Sequence, residues 1–303
     1  MHNDQAAGLR AMQSNQTATP KSEPVQKKSS GRPPKQVRVL AIASGKGGVG
    51  KTNVSVNLSI ALSQLGNRVL LMDADMGLAN VDIMLGLQTN YNLAHVLDGE
   101  KTLREVMVDA PGGIKVIPAA SGVKRMAQLT PAENAGIINA FSEIDGFLDV
   151  LVIDTAAGIA DSVVSFCRAA QEVLVVVNDE PASMTDAYAL IKVLSKEYNL
   201  TQFKLVANMV RSEKHGVMLY EKFSKVCEQF LEVSIDYLGT VPFDHDLRDA
   251  IQKQSPVMTA KPNSESTKAF KKMASTINAW PIPTGITGYL QFFVERLFQS
   301  QNT

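Results

Sequence analysis

Cysteine is nearly absent from this chain: Cys167 and Cys227 are the only two in 303 residues, they lie far apart, and they form no C-x-x-C pair. That argues against a disulfide framework or a thiolate metal site and fits a reducing compartment. The four histidines, His2, His95, His215 and His245, never fall at metal-ligand spacing. Net charge is absent too. Thirty basic residues balance thirty acidic ones, so no overall field draws the molecule onto nucleic acid, and no direct nucleic-acid binding is expected without a local patch. No uninterrupted apolar stretch is long enough to span a bilayer. His2-Asn3-Asp4-Gln5 stand where the apolar core of a secretory signal would begin, so the expected location is the cytoplasm. What is present is ordinary for a soluble chain, 45% hydrophobic and 20% charged, with length for one large domain or two small ones.

The first 36 residues separate from the rest. Residues 4–10 can form one or two helical turns, with Asp4 and Arg10 placed as a helix dipole prefers. Residues 13–36, rich in Ser, Thr, Gln, Pro and Lys, read as a flexible, weakly basic linker. From Val37 onward, strand and helix alternate. Buried strands are expected at 37–43, 69–72, 115–118, 150–153, 172–177, 204–207 and 237–241. Helices are expected at 52–65, stopped by Gly66, and near 130–144, 161–170, 183–197, 214–231 and 245–253. Such β-α repeats predict an α/β fold, a mostly parallel doubly wound sheet with helices on both faces and its ligand site at the carboxyl ends of the strands. One such domain over 37–280 is the economical reading, followed by a hinge and terminal helix at 281–303.

Gly45-Lys46-Gly47-Gly48-Val49-Gly50-Lys51-Thr52 matches G-x-x-x-x-G-K-T, directly after a buried strand and before a helix. The glycines let successive backbone N–H groups approach phosphates closely, and the helix adds the positive end of its dipole. Lys51 would reach the β- and γ-phosphates, and the Thr52 hydroxyl would ligate Mg²⁺. A triphosphate site also needs carboxylates near the metal. Asp154 ends the strand Leu151-Val152-Ile153, as a ligand to magnesium-bound water should, and Gly158 follows with an N–H able to sense the γ-phosphate. Asp73 and Asp75 end the second strand; Asp73 is a second metal-side candidate, and Asp75 is placed to orient the attacking water. The plainer alternatives are a helix cap for Asp154 and a loop brace for Asp73.

Lys46 is superfluous in an ordinary phosphate loop and would be a solvated loop residue. With it, however, residues 45–52 resemble the deviant Walker A motif of the MinD/ParA ATPases, as do Asp73-Ala74-Asp75-Met76-Gly77-Leu78-Ala79-Asn80 and Asp154-Thr155-Ala156-Ala157-Gly158 at the two switches. The resemblance implies that Lys46 crosses a dimer interface to the partner's phosphates, that Asp75 serves hydrolysis, and that ATP with Mg²⁺ holds the dimer together. It also implies an adenine contact from Asn208, base packing by Pro242 and a nucleotide contact by Glu180 across the dimer. Asn208 could equally cap a loop. No N-K-x-D guanine motif is present.

Residues 53–58, 118–122, 186–192 and 292–297 are similar to the flagellar-number regulators of that family, the FleN/FlhG group. This implies control of flagellar number and placement near the pole. It also implies action on an FlhF-type signal-recognition GTPase through residues 4–10, on a FleQ-type transcription activator, and on flagellar switch-complex proteins. Residues 288–298 would form a membrane-targeting helix with Tyr289, Leu290, Phe293, Val294, Leu297 and Phe298 on one half. Glu295 and Arg296 cancel, so attraction to anionic lipid should be weak. The alternatives are that this helix packs on its own domain, and that the protein is a ParA-type DNA-partitioning ATPase.

Overall fold

The computed structural model describes residues 36–75, 80–118, 131–281 and 290–299. Several expectations fall outside them: the segments 4–10 and 13–35, the switch residues Met76 to Ala79, residues 119–122, the hinge beyond Pro281, and Gly288 and Tyr289 at the start of the expected terminal helix.

The chain runs in this order: β1 (Arg38–Ser44), α1 (Lys51–Gln64), β2 (Val69–Ala74), three short helices α2 (Val81–Leu85), α3 (Leu93–Leu97) and α4 (Leu103–Val106), then β3 (Val108–Ala110), β4 (Ile114–Ile117) and α5 (Pro131–Ser142). It continues through β5 (Val150–Ala157), α6 (Asp161–Ala169), β6 (Glu172–Val177), α7 (Pro181–Lys196), β7 (Gln202–Val210), α8 (Glu213–Leu231) and β8 (Ser234–Pro242). It ends in α9 (His245–Gln252), α10 (Val257–Ala260), α11 (Glu265–Ala279) and α12 (Leu290–Gln299). The eight strands form one sheet in the order β3-β4-β2-β5-β1-β6-β7-β8. All neighbours are parallel except β3, which pairs antiparallel with β4.

Position in the sheet explains composition. All seven residues of β1 are buried, because β5 and β6 flank it and helices cover both faces. The strand's period of two divides it between two cores. Val39, Ala41 and Ala43 join a cluster with residues of α5, α6, α7, α8 and α12. Leu40 and Ile42 join one with residues of α1, α10 and α11. α1 is buried nearly all round, polar Ser55, Asn57 and Ser59 included, because α11 packs over the side that the sheet leaves open.

The structure adds what periodicity missed. α11 was not expected, although Phe270, Met273, Ala274 and Ile277 recur at helical spacing and all are buried. No element was expected between 81 and 110, yet this region holds three short helices, two opened by capping boxes at Asn92 and Thr102, and the antiparallel strand β3. α7 begins at Pro181, earlier than expected, because proline suits the first helical turn. α12 packs against α5 and α6. Its Phe293, Val294 and Leu297, on the predicted apolar half, are buried in the first core cluster.

Candidate phosphate and metal site

Because the central strands are parallel, their carboxyl ends lie along one edge of the sheet, and the loop after β1 opens there. Two glycines are required by close approach. A Cβ on Gly45 would lie 2.0 Å from the backbone carbonyl carbon of Asp186, so the loop starts pressed against α7. Gly50 has φ +83°, and a Cβ there would lie 2.4 Å from Nδ2 of Asn208. No side chain caps the start of α1, which leaves the amides of its first turn to an anion. The loop borders a cavity of about 720 Å³, lined also by Thr52, Asn53, Asp75 and Asn80 and by apolar Ile83, Met84, Met209 and Ile251.

Beneath the loop lies a buried charge cluster. Lys51 Nζ donates to Asp154 Oδ1 at 2.9 Å, and Ser55 Oγ donates to the same oxygen at 2.8 Å. Oδ2 of Asp154 is buried without a hydrogen-bond partner. Asp73 sits beside Asp154 in register across β2 and β5. Its Oδ1 accepts from Asp75 N at 3.0 Å and its Oδ2 from Val81 N at 3.2 Å. Burial, and then the neighbouring charge of Asp154, push its carboxyl up to about 7. Two adjacent buried carboxylates share one buried cation, and one oxygen lacks a donor. This donor set suits a hard divalent cation such as Mg²⁺, with the Thr52 hydroxyl on the cavity wall as a further ligand.

The other sequence-predicted residues distribute unevenly. Lys46 lies on the cavity rim and donates from Nζ to Glu180 Oε2 of its own chain at 2.9 Å, so the two expected cross-dimer residues hold each other here. Glu180 raises the Lys46 ammonium above its usual range, and Lys46 holds the Glu180 carboxyl below its own. Asn208 is buried and donates from Nδ2 to Val49 O at 2.7 Å, bracing the phosphate loop, while its Oδ1 lacks a partner. The Gly158 N–H, expected to sense a phosphate, donates to Ser44 O at 2.9 Å. Pro242 ends β8 and lines a different cavity, with Arg211, Glu213 and Lys272.

Sequence reasoning missed Ser55, Asn53, Met209 and the Ile83 and Ile251 walls. Ser55 was within reach of it, since one helical turn from Lys51 puts it on the same face. Met209 left no such signal. It takes a left-handed conformation, φ 56°, at an irregularity between β7 and β8.

Comparisons with known proteins agree with this geometry. A family model described as "ParA: NUBPL iron-transfer P-loop NTPase" matches residues 35–278. The antiactivator FleN of Pseudomonas aeruginosa is 54% identical over 88% of this chain and 95% of its own. The flagellum site-determining protein YlxH of Helicobacter pylori is 34% identical over 79% and 81%. Among solved structures, a MinC:MinD cell division complex from Aquifex aeolicus aligns with TM-score 0.64 at 27% identity, covering 82% of this chain and 99% of that one. MinD of Pyrococcus horikoshii with Mg-ADP aligns with TM-score 0.64 at 26% identity, covering 80% and 96%. The two cysteines of this chain, Cys167 and Cys227, are both buried, and burial pushes both thiols up to about 12. With its phosphate loop, paired strand-end carboxylates and second loop lysine, this chain belongs to the ParA/MinD family of P-loop NTPases.

Proposed function

We propose that this protein is an ATP-dependent dimerising switch that hydrolyses ATP slowly and regulates flagellar number and placement through partner proteins at the membrane. The observation that carries the reading is the contrast between two lysines of one loop: Lys51 is buried beside Asp154, and Lys46 stands on the rim of the same cavity. Lys51 and the loop amides would hold the phosphates, and Thr52, Asp154 and Asp73 would hold Mg²⁺. The metal, when bound, would neutralise phosphate charge and draw it off the transferred phosphoryl group. Lys46 would exchange Glu180 for the phosphates of a second copy, in a closed interface where a cation is most effective. Asp75 would orient water. Asn208, whose Oδ1 lacks a partner, would accept from the adenine amino group.

The relatives' names support the regulatory part. An antiactivator and a flagellum site-determining protein describe control over other proteins and places. An FlhF-type GTPase contacted through residues 4–10, a FleQ-type activator and flagellar switch-complex proteins are the partners this reading assigns. Residues 288–298 would meet the inner face of the membrane near the pole. Among the described residues no helix is long and apolar enough to cross a membrane, so attachment there would be peripheral. α12 in its docked position hides Phe293, Val294 and Leu297, and lipid contact by these side chains would require it to undock.

Light scattering at matched concentration, with ADP and then ATP, tests the switch. Doubling of mass in ATP, lost in Lys46→Ala, is expected; equal mass in both nucleotides refutes it. Co-sedimentation with liposomes or plasmid tests the site of action. ATP-dependent plasmid binding without lipid binding would replace this reading with DNA partitioning.

A further inference from the structure

Asp154 is held through one of its two oxygens. Lys51 and Ser55 both donate to Oδ1, and Oδ2 is buried with no partner. Ser55 and Asp154 are wholly buried and Lys51 nearly so. The Ser55 hydroxyl has one hydrogen and two acceptors in reach: Asp154 Oδ1 at 2.8 Å and Lys51 O, one turn back on its own helix, at 3.1 Å. The shorter distance and the charge of the carboxylate favour Asp154.

Lys51 has three N–H donors, but engaging a phosphate divides its one positive charge between two anions. Its hold on Oδ1 then weakens, and Ser55 becomes the undivided donor to Asp154 among the described residues. Asp73 beside it repels rather than steadies the carboxylate. From this arrangement, and resting on the nucleotide-switch reading above, we infer that Ser55 is a positioning residue for magnesium. Its hydroxyl pins Oδ1 of Asp154 once Lys51 engages phosphate, which reserves Oδ2 for the metal's shell. A helix hydroxyl that merely bonds back to Lys51 O would have no such effect, and Ser59 supplies that comparison. Its Oγ donates to Ser55 O at 2.7 Å, one turn further on, and reaches no carboxylate.

The test is a fluorescence titration of Mg²⁺ into the full chain with ADP carrying an N-methylanthraniloyl label. Ser55→Ala should raise the half-saturating Mg²⁺ concentration about 10- to 100-fold, the usual cost of losing an outer-shell partner. Its affinity for the labelled ADP in EDTA should equal that of wild type. Ser55→Thr should restore the wild-type value, and Ser59→Ala should leave it unchanged. Should Ser55→Ala fold poorly, Ser55→Cys replaces it, a near-isosteric weak donor expected to shift the titration in the same direction. Wild-type Mg²⁺ dependence in the Ser55 variants, or an equal shift in Ser59→Ala, overturns the inference. If the wild type binds no labelled nucleotide with or without Mg²⁺, the underlying reading and this inference fall together.

Discussion

Two ion pairs tie the same loop, and they differ in nearly everything except distance. Lys51–Asp154 and Lys46–Glu180 both measure 2.9 Å, but the side chains of the first pair are 8% and 0% exposed and those of the second 40% and 55%. Burial makes the inner pair a structural commitment, because either charge alone would be stranded away from water. Exposure makes the outer pair a resting place that solvent can replace with little loss. Under the proposed switch, the buried lysine would serve the chain's own nucleotide, and the exposed one would be free to leave Glu180 for that of a second copy.

The largest break in this comparison should come from Lys51→Ala, which is expected to abolish ATP binding in calorimetry; wild-type affinity would refute the loop assignment. Asp154→Ala strands the inner ammonium and should destabilise the nucleotide-free protein by about 3–5 kcal/mol in urea unfolding; a loss under about 1 kcal/mol would show that water reaches Lys51 after all. Asp73 sharpens the comparison through pH. Its folded carboxyl sits at about 7, above its unfolded value, so its contribution is intact below pH 4 and is lost as pH rises toward 7. The nucleotide-free wild type should therefore lose a few kcal/mol across that window, and Asp73→Asn should flatten the slope. An unchanged slope would mean that other groups govern the window. The smallest effect belongs to the rim: Lys46→Ala should leave the nucleotide-free melting temperature unchanged. A clear drop would mean that the outer pair is structural as well.

The phosphate loop was legible because it is contiguous: one strand, six intervening residues, Lys51-Thr52 and a helix carry the whole pattern. The parallel sheet was legible for a related reason, since strands buried on both faces announce themselves as unbroken apolar runs. Elements whose partners are distant in sequence were not. α11 covers α1 from more than two hundred residues away, and its mixed Lys-rich sequence conceals the buried apolar stripe of Phe270, Met273, Ala274 and Ile277. The cavity walls Ile83, Met209 and Ile251 come from three separate elements, α2, β7 and α9, and look like stray surface residues until the chain is folded.

From the sequence alone follow the loop, the strand-end carboxylates and the order of β-α units, because each is set by neighbours along the chain. Only the tertiary structure decided who holds whom. It put the single Asn208 amide on Val49 O, directed the Gly158 N–H to Ser44 O and parked Lys46 on Glu180 of its own chain. It also seated α12 against α5 and α6. These are choices between competing partners for one donor, one cation or one apolar face. They are settled by burial and distance, which no local pattern encodes.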